Sequence, residues 1–369
     1  MRISALLAFI FLSASAIAQN YYMFVGTYTK GNSEGIYVYR FNTSNAGVVL
    51  LSTVKSENPS YLAVSPNGNY LYAVNENDSA GEVSSFIFDR GTGQLHLINK
   101  QSSRGSDPCY IAEDRSSKWV TIANYTSGSL VALPVNPDGS LNPSAQFIQH
   151  SGRGADPQRQ GQAHVHSTVL SPDQHYLYVA DLGMDKEFIY RFSPEKKIPL
   201  SGIKDSTVSL DPGTGPRHFV FHPTKPYAYL VGELSGTVDA FTYTSSTGAL
   251  KRLQRISSHP PGYKGQMGSA DIHITPNGKF LYASNRGDAN SIAVFSIDAA
   301  GKLHAKGFQS TLGVHPRNFM IDPTGRYLLV ANRDTDNIVV FSINQQTGLL
   351  KNTGRQIKVP SPVCIKMVR

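Results

Sequence analysis

One pattern recurs seven times along the chain: a short apolar strand, a Pro-Asn-Gly-type turn, and a second strand ending in Asn, Asp or Gly. The units occupy 59–75, 108–124, 165–181, 216–232, 269–285 and 316–332, and a seventh opens at Pro362 with only a first strand before Arg369. Successive starts lie 46 to 57 residues apart, a period that belongs to repeat architectures. In the unit at Pro59, residues 61–64 read as a first strand, Ser65-Pro66-Asn67-Gly68 as a turn and 70–74 as a second strand. Residues 82–88 and, after Gly91-Thr92-Gly93, 94–99 supply a third and a fourth. Four antiparallel strands per roughly 50 residues is the blade of a β-propeller. Helical solenoids need a 3.6-residue period that is absent, and β-helices need a much shorter repeat.

Counting units predicts how the ring closes. The piece after Pro362 is a first strand alone, while 22–27, 35–41 and 48–54 supply three strands before the first full unit. The expected fold is therefore all-β, a seven-bladed propeller whose closing blade is shared between the N- and C-termini, which leaves no open edge. Residues 19–369 are expected to form one domain. Ahead of it, Arg2, the apolar run 5–12 and Ala16-Ile17-Ala18 before Gln19 read as a signal peptide, residues 1–18. The apolar run is short for a membrane span, so the mature chain is expected in the periplasm or outside the cell.

Composition excludes more than it identifies. A net charge of +8 attracts anions, but the lysines and arginines are scattered, without the basic-aromatic stripe of a nucleic-acid binder. Cys109 and Cys364 fall at different offsets in repeats that are not sequence neighbours, and are expected as two buried free thiols. No Gly-x-Ser-x-Gly elbow, phosphate-cradling loop or metal-spaced Cys/His pair occurs; His164 and His166 share a strand face but form at most a weak pair. No cofactor and no metal are expected, and the chain is expected to be a monomer or weak homodimer.

Superposing the repeats locates the chemistry. The residue after the Pro position recurs at one spot near the start of each inner strand, and includes His166, Arg217 and Arg317; the residue past the second strand includes Glu233 and Arg286. Consecutive strands are antiparallel, so both sets lie at one end of the channel and gather from four consecutive blades. Three arginines offer planar forks for carboxylate or phosphate, and Glu233 and His166 are candidates for base and acid. Such a set suits attack of water on an acyl carbon with a stabilised oxyanion. The plainer alternatives are blade-to-blade ion pairs for the arginines and Glu233, and turn caps for Asp181, Asn285 and Asn332.

The stretches Gly215-Pro216-Arg217-His218 with Phe221-His222-Pro223, 228–234, and 270–276 with 282–286 resemble the seven-bladed propeller lactonase family, which includes propeller-type 6-phosphogluconolactonases and carboxy-muconate lactonizing enzymes. The resemblance runs from about Tyr22 to the C-terminus. It implies opening or closing of a lactone ring without metal, on a small anionic lactone. It also implies a catalytic set that falls on His166, Arg217, Glu233 and Arg286, to which Arg317, His218 and Asp271 are added as expected substrate contacts. The apparent export signal departs from it, because phosphogluconolactone arises inside cells. Two other readings are a metal-assisted lactonase drawing on Asn75, Asn124, Asp181, Asn285 and Asn332, and a propeller that only binds a partner.

Overall fold

The computed structural model describes residues 20–78 and 80–369; the expected signal peptide lies outside the described residues. They form seven four-stranded antiparallel sheets. Blades 1 to 6 span 62–102, 108–149, 165–209, 216–257, 269–310 and 316–358. Blade 7 closes the ring: Pro362–Val368 pairs antiparallel with Asn20–Thr27, which is followed by Gly35–Asn42 and Gly47–Lys55. The only helical elements among the described residues are two single 3₁₀ turns, Leu182–Met184 and Arg333–Thr335, each directly after a second strand.

The burial pattern explains why these sequences make blades. Second strands such as Trp119–Asn124, Tyr176–Asp181 and Phe280–Asn285 are buried at every position, because both faces meet a neighbouring blade and need apolar side chains. Outer strands such as Gly47–Lys55 are largely half-buried or exposed. Between blades lie apolar clusters, for example Tyr229, Val231, Val238, Ile272, Leu281 and Phe295; each such side chain contributes about 2 kcal/mol on burial.

Two recurring polar devices register the blades. In the first, a tyrosine on a second strand reaches the outer hairpin of the next blade: Tyr229 Oη donates to Gly301 O at 3.0 Å and Tyr282 Oη to Gly348 O at 2.7 Å. Gly301 has φ +80°, and a Cβ there would lie 2.5 Å from the Tyr227 ring, so both conformation and space require glycine. In the second, the Asn ending a second strand ties down the segment entering its own blade. Asn75 Nδ2 donates to Glu57 O, Asn124 to Ser103 O, Asn285 to Ser258 O and Asn332 to Thr311 O. Asp181 does the same job by accepting from His164 N at 2.8 Å and meeting His150 Nδ1 at 2.8 Å. These five positions are thus tethers that hold the inner strands around the channel. Both cysteines are buried free thiols.

Candidate functional site

A β-bulge opens the inner strand in six of the seven blades. In blade 4, Pro216 pairs with Gly232 and His218 with Val231, so Arg217 has no partner of its own. The same skip isolates Cys109, His166, Arg317 and Val363, and in blade 5 it isolates Ala270 together with Asp271. A bulge re-aims side chains and breaks the two-residue alternation of a strand. That is why adjacent residues, Arg217 with His218 and Arg317 with Asn318, both line the channel axis. The axial cavity they leave is about 10 Å³, room for about one water, so side chains plug the channel between its two mouths.

At the first mouth the structure brings Arg217, Glu233 and Arg286 into contact. Glu233 Oε2 meets Arg217 Nε at 2.9 Å and Arg286 Nη2 at 2.8 Å. Its Oε1 meets Nη2 of a residue that the repeat pattern does not flag, Arg159, at 2.6 Å. Burial would raise the Glu233 carboxyl, but Arg286 and Arg217, with Arg159 adding to them, outweigh it and hold it well below the usual range. Arg217 is 1% exposed; burial, Arg286 and Arg317 bring it down to about 10, still a cation at neutral pH. Arg286 is positioned by Gly268 O, which accepts from its Nε at 3.0 Å.

His166 lies beside this cluster, buried, with its ring edge-to-face against His218 at 5.4 Å and Tyr125 at 5.4 Å. Burial first, then Arg217 and His218, push it well below 6.5 against the pull of Glu233, so it is neutral. Its Nδ1 is 3.8 Å from Cys109 Sγ, a thiol pushed well up by burial and by Glu76 and therefore no nucleophile. His164, the other member of the strand pair, stacks on Tyr125 at 4.5 Å and its Nδ1 meets Tyr125 O at 3.0 Å.

His218 and Asp271 are placed differently from the sequence expectation. Arg217 Nη1 lies 3.3 Å from His218 Nε2; a guanidinium only donates, so Nε2 carries the lone pair and Nδ1–H donates to Asp271 Oδ1 at 2.7 Å. Burial and Arg217 bring His218 down to about 4, against the pull of Asp271. Asp271 is 1% exposed and also accepts from Asn318 Nδ2, Phe319 N and Ile272 N and meets His273 Nε2 at 3.0 Å. It anchors His218 inside the channel and does not reach the first mouth. The bulge that turned it inward also used up its oxygens.

Arg317 reaches the first mouth from blade 6, next to the blade that carries Arg286. Its guanidinium lies over the Tyr28 ring at 5.4 Å and 3.7 Å from Glu76 Oε2, while Tyr28 Oη donates to Glu76 Oε1 at 2.9 Å. Beside it opens a cavity of about 740 Å³ lined by Tyr28, Asn58, Glu76, Asn77, Asp78, Asp107 and Arg333, among others. The first mouth therefore has an arginine-rich side on blades 4 and 5 and a carboxylate- and amide-rich side on blades 7, 1 and 2. Tyr28, Glu76 and Tyr125 sit at or next to the repeat position past the second strand, where the sequence could have flagged them. Arg159 lies in the 150–164 connection between blades 2 and 3, which is longer than the connection entering any other blade.

Seven four-stranded blades surround a plugged channel, and Arg159, Arg217, Glu233 and Arg286 form an ion-pair cluster at one of its mouths. The chain belongs to the family described as lactonase, 7-bladed beta-propeller, which matches residues 22–367, and is a lactonase, as its motifs imply. A 6-phosphogluconolactonase of Formosa agariphila is 40% identical over 351 residues, 94% of this chain and 99% of its own. The 6-phosphogluconolactonase of Bacillus subtilis is 36% identical over 350 residues, 94% of this chain and 98% of its own. A solved structure of a periplasmic gluconolactonase from Pseudomonas aeruginosa matches with a TM-score of 0.90 at 38% identity, over 95% of this chain and 99% of that one.

Proposed function

We propose that this chain hydrolyses a sugar lactone bearing an anionic group, as a 6-phosphogluconolactonase-like enzyme, at the first mouth. The observation that carries the reading is one buried carboxylate, Glu233, bracketed by three arginines beside a neutral buried histidine. Relatives named 6-phosphogluconolactonase support a charged lactone, and the one named gluconolactonase supports lactone hydrolysis alone. The carboxylates and amides lining the adjoining cavity suit the hydroxyls of a sugar.

The division of labour follows from the electrostatics. Glu233 has both oxygens engaged and a strongly depressed pKa, which makes it a poor base; its work is to hold Arg217 and Arg286 in place. His166 is the base. The Cys109 thiol donates to His166 O at 3.5 Å, which lets Nδ1–H rest on the sulfur and leaves the Nε2 lone pair for water. Water attacks the lactone carbonyl carbon as Nε2 takes its proton. Nη1 of Arg217 and Nη2 of Arg286 are engaged, so the resulting oxyanion meets Nη2 of Arg217 and Nη1 of Arg286, contacts worth most where water is excluded. The carbonyl re-forms, the ring C–O bond breaks, and His166 returns the proton to the departing ring oxygen, giving a hydroxy acid. Arg317 is assigned to the substrate, where its charge meets an anionic group.

No metal enters this scheme, since a cation would be repelled by the clustered arginines and the Asn and Asp positions considered for it serve as tethers. Activity is expected to survive a chelator; loss on EDTA treatment with recovery on adding a divalent ion would overturn that point. The base assignment is tested by the pH profile of kcat/KM: wild type should keep its activity to well below pH 6.5, and His166→Ala should lower kcat by about 100-fold and abolish the acid limb. An unchanged profile in His166→Ala would sink the assignment. We place the enzyme outside the cytoplasm on the signal-like residues 1–18 and the periplasmic Pseudomonas relative; recovery of a chain that still carries Met1–Ala18 from the cytoplasmic fraction would contradict this.

A further inference from the structure

The arginines at the first mouth are not equivalent. Arg217, Arg286 and Arg317 stand at strand ends, fixed by bulges or strand termini. Arg159 comes from the 150–164 connection and spans to Glu233 from outside the ring of strands. Its side chain is 46% exposed, against 1% for Arg217 and 11% for Arg286. The base of its loop is pinned: Gln160 Nε2 donates to Leu182 O at 2.8 Å and to Asp185 Oδ1 at 2.7 Å, and Asp156 Oδ1 accepts from the N–H groups of Gln158 and Arg159. The backbone is thus held while the guanidinium stands at the rim.

The pairing on Glu233 is equally asymmetric. Arg217 and Arg286 share Oε2, and Oε1 belongs to Arg159 alone. Apart from Glu233, the Arg159 guanidinium has only a 3.5 Å contact from Nη2 to Tyr125 Oη, and its Nε and Nη1 have no partner among the described residues. Only the arginine end of this pair is exposed, and releasing it leaves Glu233 still paired with two arginines, whereas breaking the buried Arg217 pair would strand a charge. A planar fork with unused donors is suited to a phosphate or carboxylate held by two hydrogen bonds.

We propose that Arg159 is a specificity-determining residue, selecting lactones that carry a second, anionic group by exchanging Glu233 Oε1 for that group. Arrival of a phosphomonoester or carboxylate draws the guanidinium off Glu233, and Oε1 turns to the substrate or its water. A neutral lactone leaves the Arg159–Glu233 pair closed. The site then favours the charged substrate twice, once through the new contact and once through the released carboxylate oxygen.

This rests on the lactonase reading above, and the experiment separates the two. The kcat/KM ratio for 6-phosphoglucono-δ-lactone over glucono-δ-lactone is measured for wild type, Arg159→Ala and Arg159→Lys, with spontaneous hydrolysis subtracted. The ratio should fall about 30-fold in Arg159→Ala, the scale of lost charge-assisted hydrogen bonds, and by less in Arg159→Lys, which keeps the charge without the fork. A ratio equal to wild type in Arg159→Ala, whatever the absolute rates, overturns the proposal. Calorimetry with 6-phosphogluconate and gluconate reads the same preference without turnover. If wild type hydrolyses neither lactone, the lactonase reading falls. A phosphate preference in binding that is lost in Arg159→Ala still supports the role of Arg159, and equal binding of the two acids by wild type overturns it.

Discussion

The two mouths of the channel are built from opposite ends of the same seven inner strands, yet they differ in kind. At the first, bulges turn His166, Arg217 and Arg317 inward and Glu233 gathers three arginines. At the second, the strands run regularly into their turns. There a cavity of about 340 Å³ is lined by Tyr61 and Tyr110, stacked at 4.2 Å, with His273 and with Lys366, whose ammonium sits over Tyr61 at 4.5 Å. One chain of contacts joins them: Glu233, Arg217, His218, Asp271, His273. The contrast teaches that a repeat protein can keep its period for the scaffold and confine irregularity to one end, where a bulge changes which side chains face inward without changing the sheet.

Substitutions at the two mouths should differ sharply in effect. Arg217→Ala should lower kcat/KM for the lactone by about 1,000-fold, the scale of a lost oxyanion contact with its neighbours disordered. Lys366→Ala at the second mouth should change it by less than about threefold, and equal losses would erase the distinction between mouths. Next comes Glu233→Gln, which leaves buried Arg217 without its anion. Breaking such a pair costs about 3 kcal/mol, so denaturant melts should show lower stability together with a fall in kcat; a fully stable variant would mean that the arginines do not depend on Glu233.

A pH titration of stability sharpens the picture on a smaller scale. His166 and His218 are neutral when folded, with pKa values pushed below 6.5 by burial, His218 to about 4. The unfolded chain therefore binds more protons than the folded one below pH 6.5, and stability falls as pH drops from 6.5 toward 4, by about 1.4 kcal/mol per unit for each fully shifted histidine. Glu233 and Asp271 are held well below the usual carboxylate range, so their contributions persist down to about pH 4.5, where unfolded carboxylates begin to protonate, and are lost below it. His218→Gln should flatten the slope between pH 6 and 4.5; an unchanged slope would show that His218 is already protonated in the fold.

Much of this was legible in the residues because the repeat carries position as well as shape. The offset after Pro216 and Pro316 located Arg217 and Arg317, and the offset past the second strand located Glu233 and Arg286; the structure places the first, third and fourth of these in direct contact. His218 and Asp271 were expected as substrate contacts beside the set the resemblance implies, and nothing in the repeat pattern signals the bulges that set them against each other inside the channel. Arg159 was invisible because its connection belongs to no repeat register, so no superposition of blades could carry it to Glu233. The recurrence of Asn at the end of second strands pointed to a shared structural task, but the turn caps expected at Asn285 and Asn332 are tethers on the segment entering the blade, as in four of the seven blades.

The shared closing blade also has a consequence for how the cavity is completed. Tyr28 follows a strand near the start of the described chain, and Ser361 directly precedes its last strand, yet both line the 740 Å³ cavity. The pairing of Pro362–Val368 with Asn20–Thr27 is what brings these two residues together, so the cavity is completed by closure of the ring and not blade by blade.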